Sequence, residues 1–251
     1  MTKPRWALVG VAAIAVFGAL LAVIIIVLAP LPPGRFPSVL PYMADTVDEV
    51  PLDAAAASNI DSMADKAWLA ETAAATGIPE RALQAYAGAV AATQLIQPGC
   101  NLRWNTLAAI GYVESRHGTF AGSSMGADGL VAPTILGPVL DGTIYDAIED
   151  TDGGVLDGDT EWDRAVGPMQ FIPSTWGGAG SDGDTNLSID PNDIDDAAFS
   201  AANYLCGSAE GDMDDPEAWG DAIAAYNSST SYAIAVAKAA NRYAAAVTPE
   251  A

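Results

Sequence analysis

An uncharged, strongly apolar segment near the N-terminus limits what this chain of 251 residues can fold into. The segment Trp6–Ala29 has no charged residue and consists largely of Val, Ile, Leu and Ala. Because about 20 apolar residues cross a bilayer, it predicts one transmembrane helix that acts as a signal anchor. Lys3 and Arg5 precede it, and basic flanks stay in the cytoplasm. Residues 1–5 are therefore a predicted cytoplasmic tail, and the rest of the chain is expected outside.

A cleaved signal peptide is the alternative interpretation of the same segment. Signal peptides usually have an apolar region of about 7–15 residues, which is shorter than this one. Pro30 also follows the segment directly, and proline is a poor residue just past a scissile bond. We therefore expect a single-pass protein of the cell membrane with an extracytoplasmic domain, or a secreted protein if cleavage occurs.

The residues after the anchor divide into a spacer and a domain. Residues 30–51 are rich in proline and then in acidic residues, so they predict a semi-rigid linker. Residues 52–247 are enough for one domain with a substantial core. The whole chain carries 32 acidic residues against 10 basic ones. Nucleic-acid binding needs clustered Lys and Arg, so no nucleic-acid partner is expected; protein partners are not indicated.

Two cysteines and one histidine limit the chemistry of the domain. Cys100 and Cys206 form an even pair in an oxidising compartment and predict a disulfide. No Cys/His cluster indicates a zinc site. His117 is the only histidine, and no residue pattern around it indicates serine–histidine catalysis.

The periodicity of apolar residues predicts a mainly α fold with one long irregular loop. The loop runs from His117 to Asp163, is rich in Gly, Asp and Pro, and has only weak strand character near Gly129–Leu136. Helices are predicted at residues 52–75, 79–96, 104–115, 191–206, 214–225 and 229–245, with a short one that starts at Pro168 and is interrupted at Pro173.

One carboxylate stands at the end of an apolar helical face. The positions i, i+3, i+4 and i+7 of the third helix are Leu107, Ile110, Gly111 and Glu114. Burial disfavours the charged form of a carboxyl, raises its pKa and suits it to donate a proton. Glu114 is therefore a candidate general acid. The alternative is a glutamate that turns to solvent or pairs with Arg103 or Arg116.

Two further segments carry polar side chains among apolar ones. Gln170 stands in the run from Ala165 to Trp176, where it could contact a sugar or merely be solvated. Tyr226 and Asn227 end one predicted helix, and Tyr232 opens the next. They could form a stacking and hydrogen-bonding patch, or an ordinary Asn-capped turn between helices with tyrosines in the core.

Taken together, the segments Gly111–Gly118, Gly167–Trp176 and Ala225–Tyr232 resemble lytic murein transglycosylases of the membrane-bound lytic transglycosylase B type. The similarity covers about residues 60–245 and is closest to the actinobacterial branch. The resemblance implies a lysozyme-like α domain that binds peptidoglycan glycan strands. It also implies cleavage of the bond between N-acetylmuramic acid and N-acetylglucosamine with formation of 1,6-anhydromuramoyl ends, without a required cofactor.

The resemblance also assigns roles to particular residues. Glu114 matches the single acid that then acts as a base, and Gln170, with Met169 before it, matches the residues beside the bound saccharide. The cleft-shaping positions are Tyr226, Asn227 and Tyr232. Relatives often have a serine where this chain has Glu161, and a second carboxylate would fit a muramidase that hydrolyses the bond. A non-catalytic, membrane-tethered wall-binding protein is the other alternative.

An Asp-rich segment resembles a calcium-binding loop of the EF-hand type. Its oxygen-bearing side chains include Asp182, Asp184, Asn186 and Asp193, at positions 1, 3, 5 and 12 of such a loop. Leu187 replaces the glycine that normally makes the turn at position 6. We treat structural calcium as an expectation, with a plain Asp-rich turn as the alternative.

Overall fold

The structure is a computed structural model that describes residues 42, 47–53, 59–209 and 211–248. The predicted tail, the anchor at Trp6–Ala29 and most of the linker lie outside the described residues. None of the helices within the described ranges is long and apolar enough to cross a membrane. The anchor therefore stays a prediction.

The described residues form a mainly helical domain, as expected. They contain seven α-helices, one two-stranded antiparallel sheet and two 3-10 turns at Ile60–Ser62 and Phe120–Gly122. The helices are α1 (Lys66–Thr76), α2 (Glu80–Ile96), α3 (Trp104–Ser115), α4 (Pro173–Ala179), α5 (Ile194–Ser208), α6 (Pro216–Tyr226) and α7 (Thr230–Val247), and the strands are β1 (Ser124–Met125) and β2 (Val131–Ala132).

The first helix begins later than predicted. The composition favours a helix from residue 52, but α1 starts only at Lys66 because Asp65 caps it, accepting a hydrogen bond from the Trp68 backbone N–H at 2.9 Å. Leu52 instead pairs with Ala64 in an isolated antiparallel bridge. Ala-rich composition alone does not show this, since the cap and the bridge are specific contacts.

The helix predicted to start at Pro168 is also wrong. Residues 167–170 form a turn, and Pro173 is the first residue of α4 rather than an interruption. Proline is well suited to a first helical position because its missing N–H would have no partner there.

The long loop is irregular, as predicted, and its aspartates order it. Strand β1 pairs with β2, and Met125 lies opposite Val131. Asp163 is fully buried and accepts bonds from both the backbone N–H and the hydroxyl of Thr151, at 2.9 and 2.7 Å. Asp150 accepts from three successive backbone N–H groups in the same way. The acidic composition thus supplies acceptors for turn N–H groups that have no secondary-structure partner.

Helix α3 lies in the centre of the core, where it packs mainly against α7 and also against α2. Its apolar positions Leu107 and Ile110 are fully buried. Gly111 allows α2 to approach closely, because a Cβ there would lie 2.0 Å from the hydroxyl oxygen of Tyr86. This packing fixes the end of α3 against its neighbours.

The predicted disulfide is present. Cys100, in the segment before α3, is bonded to Cys206 in the last turns of α5, with a Cα–Cα distance of 5.5 Å. The backbone carbonyl of Cys100 also accepts a bond from Met213 N–H at 2.8 Å. The bond thereby ties the start of α3 to the end of α5 and the segment that follows it.

Loss of the disulfide should lower the free energy of unfolding without preventing folding. The bond spans a sequence separation of 106, and closing a loop of that size is worth about 4–5 kcal/mol in the chain-entropy model. Urea unfolding of the Cys100→Ser/Cys206→Ser double variant should show a lower midpoint than the oxidised protein. Equal midpoints, or two free thiols in protein from an oxidising compartment, would contradict this.

Candidate active site

Glu114 lies in the last turn of α3 and is buried, with 1% of its surface exposed. Neither carboxylate oxygen has a hydrogen-bond partner among the described residues. The two alternative pairings are not formed: Arg103 binds Asp214, and Arg116 lies over the ring of Tyr112. The helical periodicity of the sequence therefore correctly predicts that the Glu114 side chain is buried.

Burial raises the pKa of the Glu114 carboxyl well above its ordinary value. The hydroxyl of Tyr232 lies close enough to the carboxyl to offset part of this rise in pKa. Its distance or angle to Glu114 does not, however, meet the geometry of a hydrogen bond. The C-terminal end of a helix carries partial negative charge and further disfavours a carboxylate. Among the described residues no second carboxylate contributes to the shift. The group is suited to hold a proton near neutral pH.

The chain just past Glu114 is fixed by hydrogen bonds of Ser115. Its hydroxyl donates to the carbonyl of Pro168 at 2.6 Å and accepts from the N–H of Gly118 at 2.8 Å. The first bond joins the end of α3 to the turn before α4. It therefore links the first two of the three sequence segments.

His117 connects α2 and α7 close to the end of α3. Its Nδ1 lies 3.2 Å from the hydroxyl of Tyr86 on α2, and its Nε2 lies 2.9 Å from the hydroxyl of Tyr243 on α7. Burial, followed by the charges of Arg242 and Arg116, lowers the pKa of His117 to about 3. The imidazole is thus neutral, and it holds helices together rather than transferring protons. The sequence showed a lone histidine after the glutamate but not its two tyrosine partners.

Tyr226 and Tyr232 lie beside Glu114, because burial and then the Glu114 charge raise the pKa of both hydroxyls. Their role in shaping a cleft remains a prediction. Their rings are parallel within 8°, with centroids 6.4 Å apart, and both are fully buried. The hydroxyl of Tyr226 donates to the carbonyl of Met169 at 2.8 Å. This bond joins the third sequence segment to the second, so all three segments meet around Glu114.

Gln170 and Asn227, which are predicted to bind a saccharide, are both buried and form hydrogen bonds within turns. Gln170 has a left-handed φ of 53°, and its Nε2 donates to the carbonyls of Ile135 and Gly167. Its side-chain oxygen is buried without a partner. Asn227 Oδ1 accepts from the Ser229 N–H at 2.9 Å. Their contacts with a saccharide remain a prediction.

The Asp-rich loop before α5 differs from the predicted calcium ligand set. Asp182 and Asp184 do group, but with Asp196, all three having carboxylate oxygens within 4.8 Å of one another. Asp193 is outside this group because it caps α5, accepting from the Asp195 N–H. Asn186 donates its amide to Asp184.

The turn of this loop forms without its usual glycine. Leu187 adopts a left-handed φ of 70° and is 94% exposed. Burial, together with the charges of Asp184 and Asp182, raises the pKa of Asp196 to about 6, although backbone hydrogen bonds to its carboxylate act in the opposite direction. A divalent cation would relieve the repulsion in this group. A second cluster of carboxylates, which the sequence did not indicate, consists of Asp150, Asp152 and Asp163.

Comparison with known proteins gives one match. Residues 146–220 match the family model for the transglycosylase SLT domain. No curated protein and no solved structure matches the chain. The matched residues include Gln170 and helices α4 and α5, whereas Glu114 and Tyr232 lie outside them. Together with the mainly helical fold, the match supports a lytic transglycosylase-type domain that acts on peptidoglycan.

Proposed function

We propose that this protein is a lytic transglycosylase that forms 1,6-anhydromuramoyl ends, with Glu114 as its acid and base. The observation that carries the proposal is the buried Glu114 carboxyl, whose oxygens lack partners and whose pKa is raised. A carboxyl without a structural partner is costly to bury, so it points to a ligand that completes its contacts.

In the first step, protonated Glu114 donates its proton to the glycosidic oxygen. The bond from this oxygen to C1 of the muramoyl residue breaks, and positive charge develops at C1. The raised pKa keeps the proton available, and protein dipoles in a water-excluded site replace solvent. Tyr232, whose hydroxyl faces the carboxyl, stabilises the carboxylate that results.

In the second step, the same carboxylate removes the proton from the muramoyl C6 hydroxyl. The C6 oxygen forms a bond to C1 and closes the 1,6-anhydro ring. Glu114 is protonated again, so the enzyme returns to its starting state. Water is not consumed, and a separate nucleophilic carboxylate is not needed.

The environment of Glu114 favours this lyase over a two-carboxylate hydrolase. Glycosidases that hydrolyse the bond use a second carboxyl about 5–9.5 Å from the first. Within the described part of the chain no other carboxylate contributes to the raised pKa of Glu114. Glu161, the residue that raised the hydrolase alternative, is exposed in the long loop.

We also propose that the domain acts outside the cell, tethered through the Trp6–Ala29 segment. The apolar, uncharged composition of that segment and its basic flank support the tether. The Cys100–Cys206 bond fits an oxidising compartment. The proposed boundaries remain a linker at 30–51 and a catalytic domain at 52–247.

Glu114→Gln should abolish strand cleavage while the fold is retained. Glutamine keeps the shape of the side chain but neither gives nor takes a proton, and each of these roles is worth about 10²–10⁴-fold. Products from purified sacculi should be measured by mass spectrometry. Wild type and the exposed control Glu71→Gln should both yield 1,6-anhydromuramoyl species. Cleavage by Glu114→Gln at a comparable rate would refute the assignment, and reducing ends alone from wild type would show a hydrolase.

Calcium should raise the melting temperature of protein stripped with chelator. Binding to the native state alone stabilises it, and Asp182, Asp184 and Asp196 would hold the ion. Asp196→Asn should lose the shift, whereas Glu71→Gln should keep it. The idea fails if millimolar calcium leaves the melting temperature of wild type unchanged.

A further inference from the structure

The chain makes a strained turn directly after the candidate acid. Arg116 and His117 both have left-handed backbone conformations, with φ of 56° and 59°, and Gly118 follows with φ 77°. Only glycine adopts this region readily, because the Cβ of any other residue crowds a backbone oxygen. Among the described residues, Arg116 and His117 are the only two neighbouring non-glycine residues in this conformation. Such strain persists only where surrounding contacts fix it, and it is common at active sites.

Contacts of Ser115 and Gly118 hold the two ends of the turn. The hydroxyl of Ser115 joins the Pro168 carbonyl to the Gly118 N–H. Gly118 also packs closely against β2, since a Cβ there would lie 2.9 Å from the Cγ2 of Val131. These contacts fix the residues on either side of the strained pair.

The side chain of His117 holds the strained pair itself. Its Nδ1 lies 3.2 Å from the hydroxyl of Tyr86 on α2, and its Nε2 lies 2.9 Å from the hydroxyl of Tyr243 on α7. Both nitrogens of the imidazole therefore have partners inside the protein. Because the pKa of His117 is lowered to about 3, mainly by burial, this bonding pattern does not change near neutral pH.

The same turn carries Glu114. The backbone N–H of His117 donates to the carbonyl of Gly111 at 2.9 Å, which closes the chain around the last turn of α3. The hydroxyl of Tyr86 lies against this turn, because a Cβ at Gly111 would be 2.0 Å from its oxygen. Tyr86 thus contacts both His117 and Gly111, and release of His117 would loosen the turn that holds Glu114.

We infer that His117 is a positioning residue, which holds the strained turn through Tyr86 and Tyr243 and so keeps the Glu114 carboxyl in its buried position. This inference rests on the proposed function, because the role of Glu114 as the acid is proposed there. The imidazole takes no part in proton transfer. Without it the last turn of α3 frays and water reaches the carboxyl. The desolvation that raises the Glu114 pKa is then lost.

His117→Phe tests the inference, because it keeps a planar ring and removes both contacts with the hydroxyls. The kcat and KM of the full-length protein should be measured on purified glycan strands. We expect kcat to fall on the order of ten- to a hundredfold with little change in KM, because small misplacements of a reacting group have effects of this size. In protein labelled with ¹³C at glutamate carboxyl carbons, Glu114 should titrate at a lower pH than in wild type.

The groups around Glu114 do not obscure this titration. Burial raises the pKa of the tyrosine hydroxyls that α2, α6 and α7 contribute to this region, and they stay protonated near neutral pH. They are Tyr86, Tyr226 and Tyr232. Among the described residues no carboxylate contributes to the pKa of Glu114. A shift in its titration therefore reports a change in its own burial.

Variants of the two tyrosines separate the contacts. Tyr86→Phe and Tyr243→Phe each remove one hydroxyl, so each should cause a smaller loss of kcat than His117→Phe. Adding Tyr243→Phe to His117→Phe should cause no further loss, because the two changes remove the same contact. His117→Gln offers a donor and an acceptor to the hydroxyls, so it should recover part of the kcat and of the Glu114 pKa.

Ile78→Val is the control for a general loss of stability. Ile78 is buried between α1 and α2, outside the three segments that meet around Glu114. Removal of one methylene from the core and removal of one hydrogen bond cost similar amounts of stability. The melting temperature of Ile78→Val should therefore fall, while its kcat and its Glu114 titration stay at wild-type values.

The outcomes separate positioning from a purely structural role. His117→Phe that melts earlier but keeps the wild-type kcat and Glu114 titration would overturn the inference. An equal loss of kcat in Ile78→Val would also overturn it. If His117→Phe does not fold, wild-type values in both Tyr243→Phe and His117→Gln would have the same meaning. If wild type cuts no strand, the proposed function fails, whereas the Glu114 titration still tests the positioning.

Discussion

The arrangement of this domain depends on one unpaired carboxyl that is buried at the end of a central helix. Leaving an ionised carboxylate without partners in an apolar site is so costly that the group takes up a proton instead. The buried position of Glu114 is supported by the packing of α3 against α7, α2 and α5. Three further contacts support α3. They are the disulfide before α3, the close approach of Tyr86 at Gly111, and the contacts of His117 with the hydroxyls of Tyr86 and Tyr243.

Hydrogen bonds to backbone carbonyls join the three segments that carry the candidate chemistry. The hydroxyl of Ser115 donates to the carbonyl of Pro168, and that of Tyr226 donates to the carbonyl of Met169, so the ends of α3 and α6 both attach to one turn. That turn holds Gln170 in a left-handed conformation with its amide nitrogen bonded inward. Three side-chain oxygens near this region, two of Glu114 and one of Gln170, are buried without partners among the described residues. This cost to stability is consistent with a site that is completed by its ligand.

Much of this could be predicted from the sequence, for reasons that are local. The period of the apolar residues predicted α3 and the inward direction of Glu114, and the predicted and observed bounds of that helix agree. The later start of α1 could not be predicted, because it depends on the Asp65 cap and on the isolated bridge between Leu52 and Ala64. The sequence predicted Asp193 in the acidic group of the loop, but the structure has Asp196 there, again because of a specific cap. The side chain of Asp193 caps α5, and the first turn of that helix brings Asp196 to the loop, where it accepts a bond from the Gly183 N–H.

The proposed mechanism requires Glu114 to be a neutral acid near neutral pH. Its ionisation can be followed by NMR titration of protein labelled with ¹³C at the glutamate carboxyl carbons, with the signal assigned by its absence from Glu114→Gln. Because burial raises the pKa of Glu114, its signal should remain that of the protonated form at neutral pH. Exposed glutamates should ionise near their ordinary value of about 4.3. If the Glu114 signal instead titrates together with the exposed glutamates, the carboxyl is not a stored proton donor, and the account is contradicted.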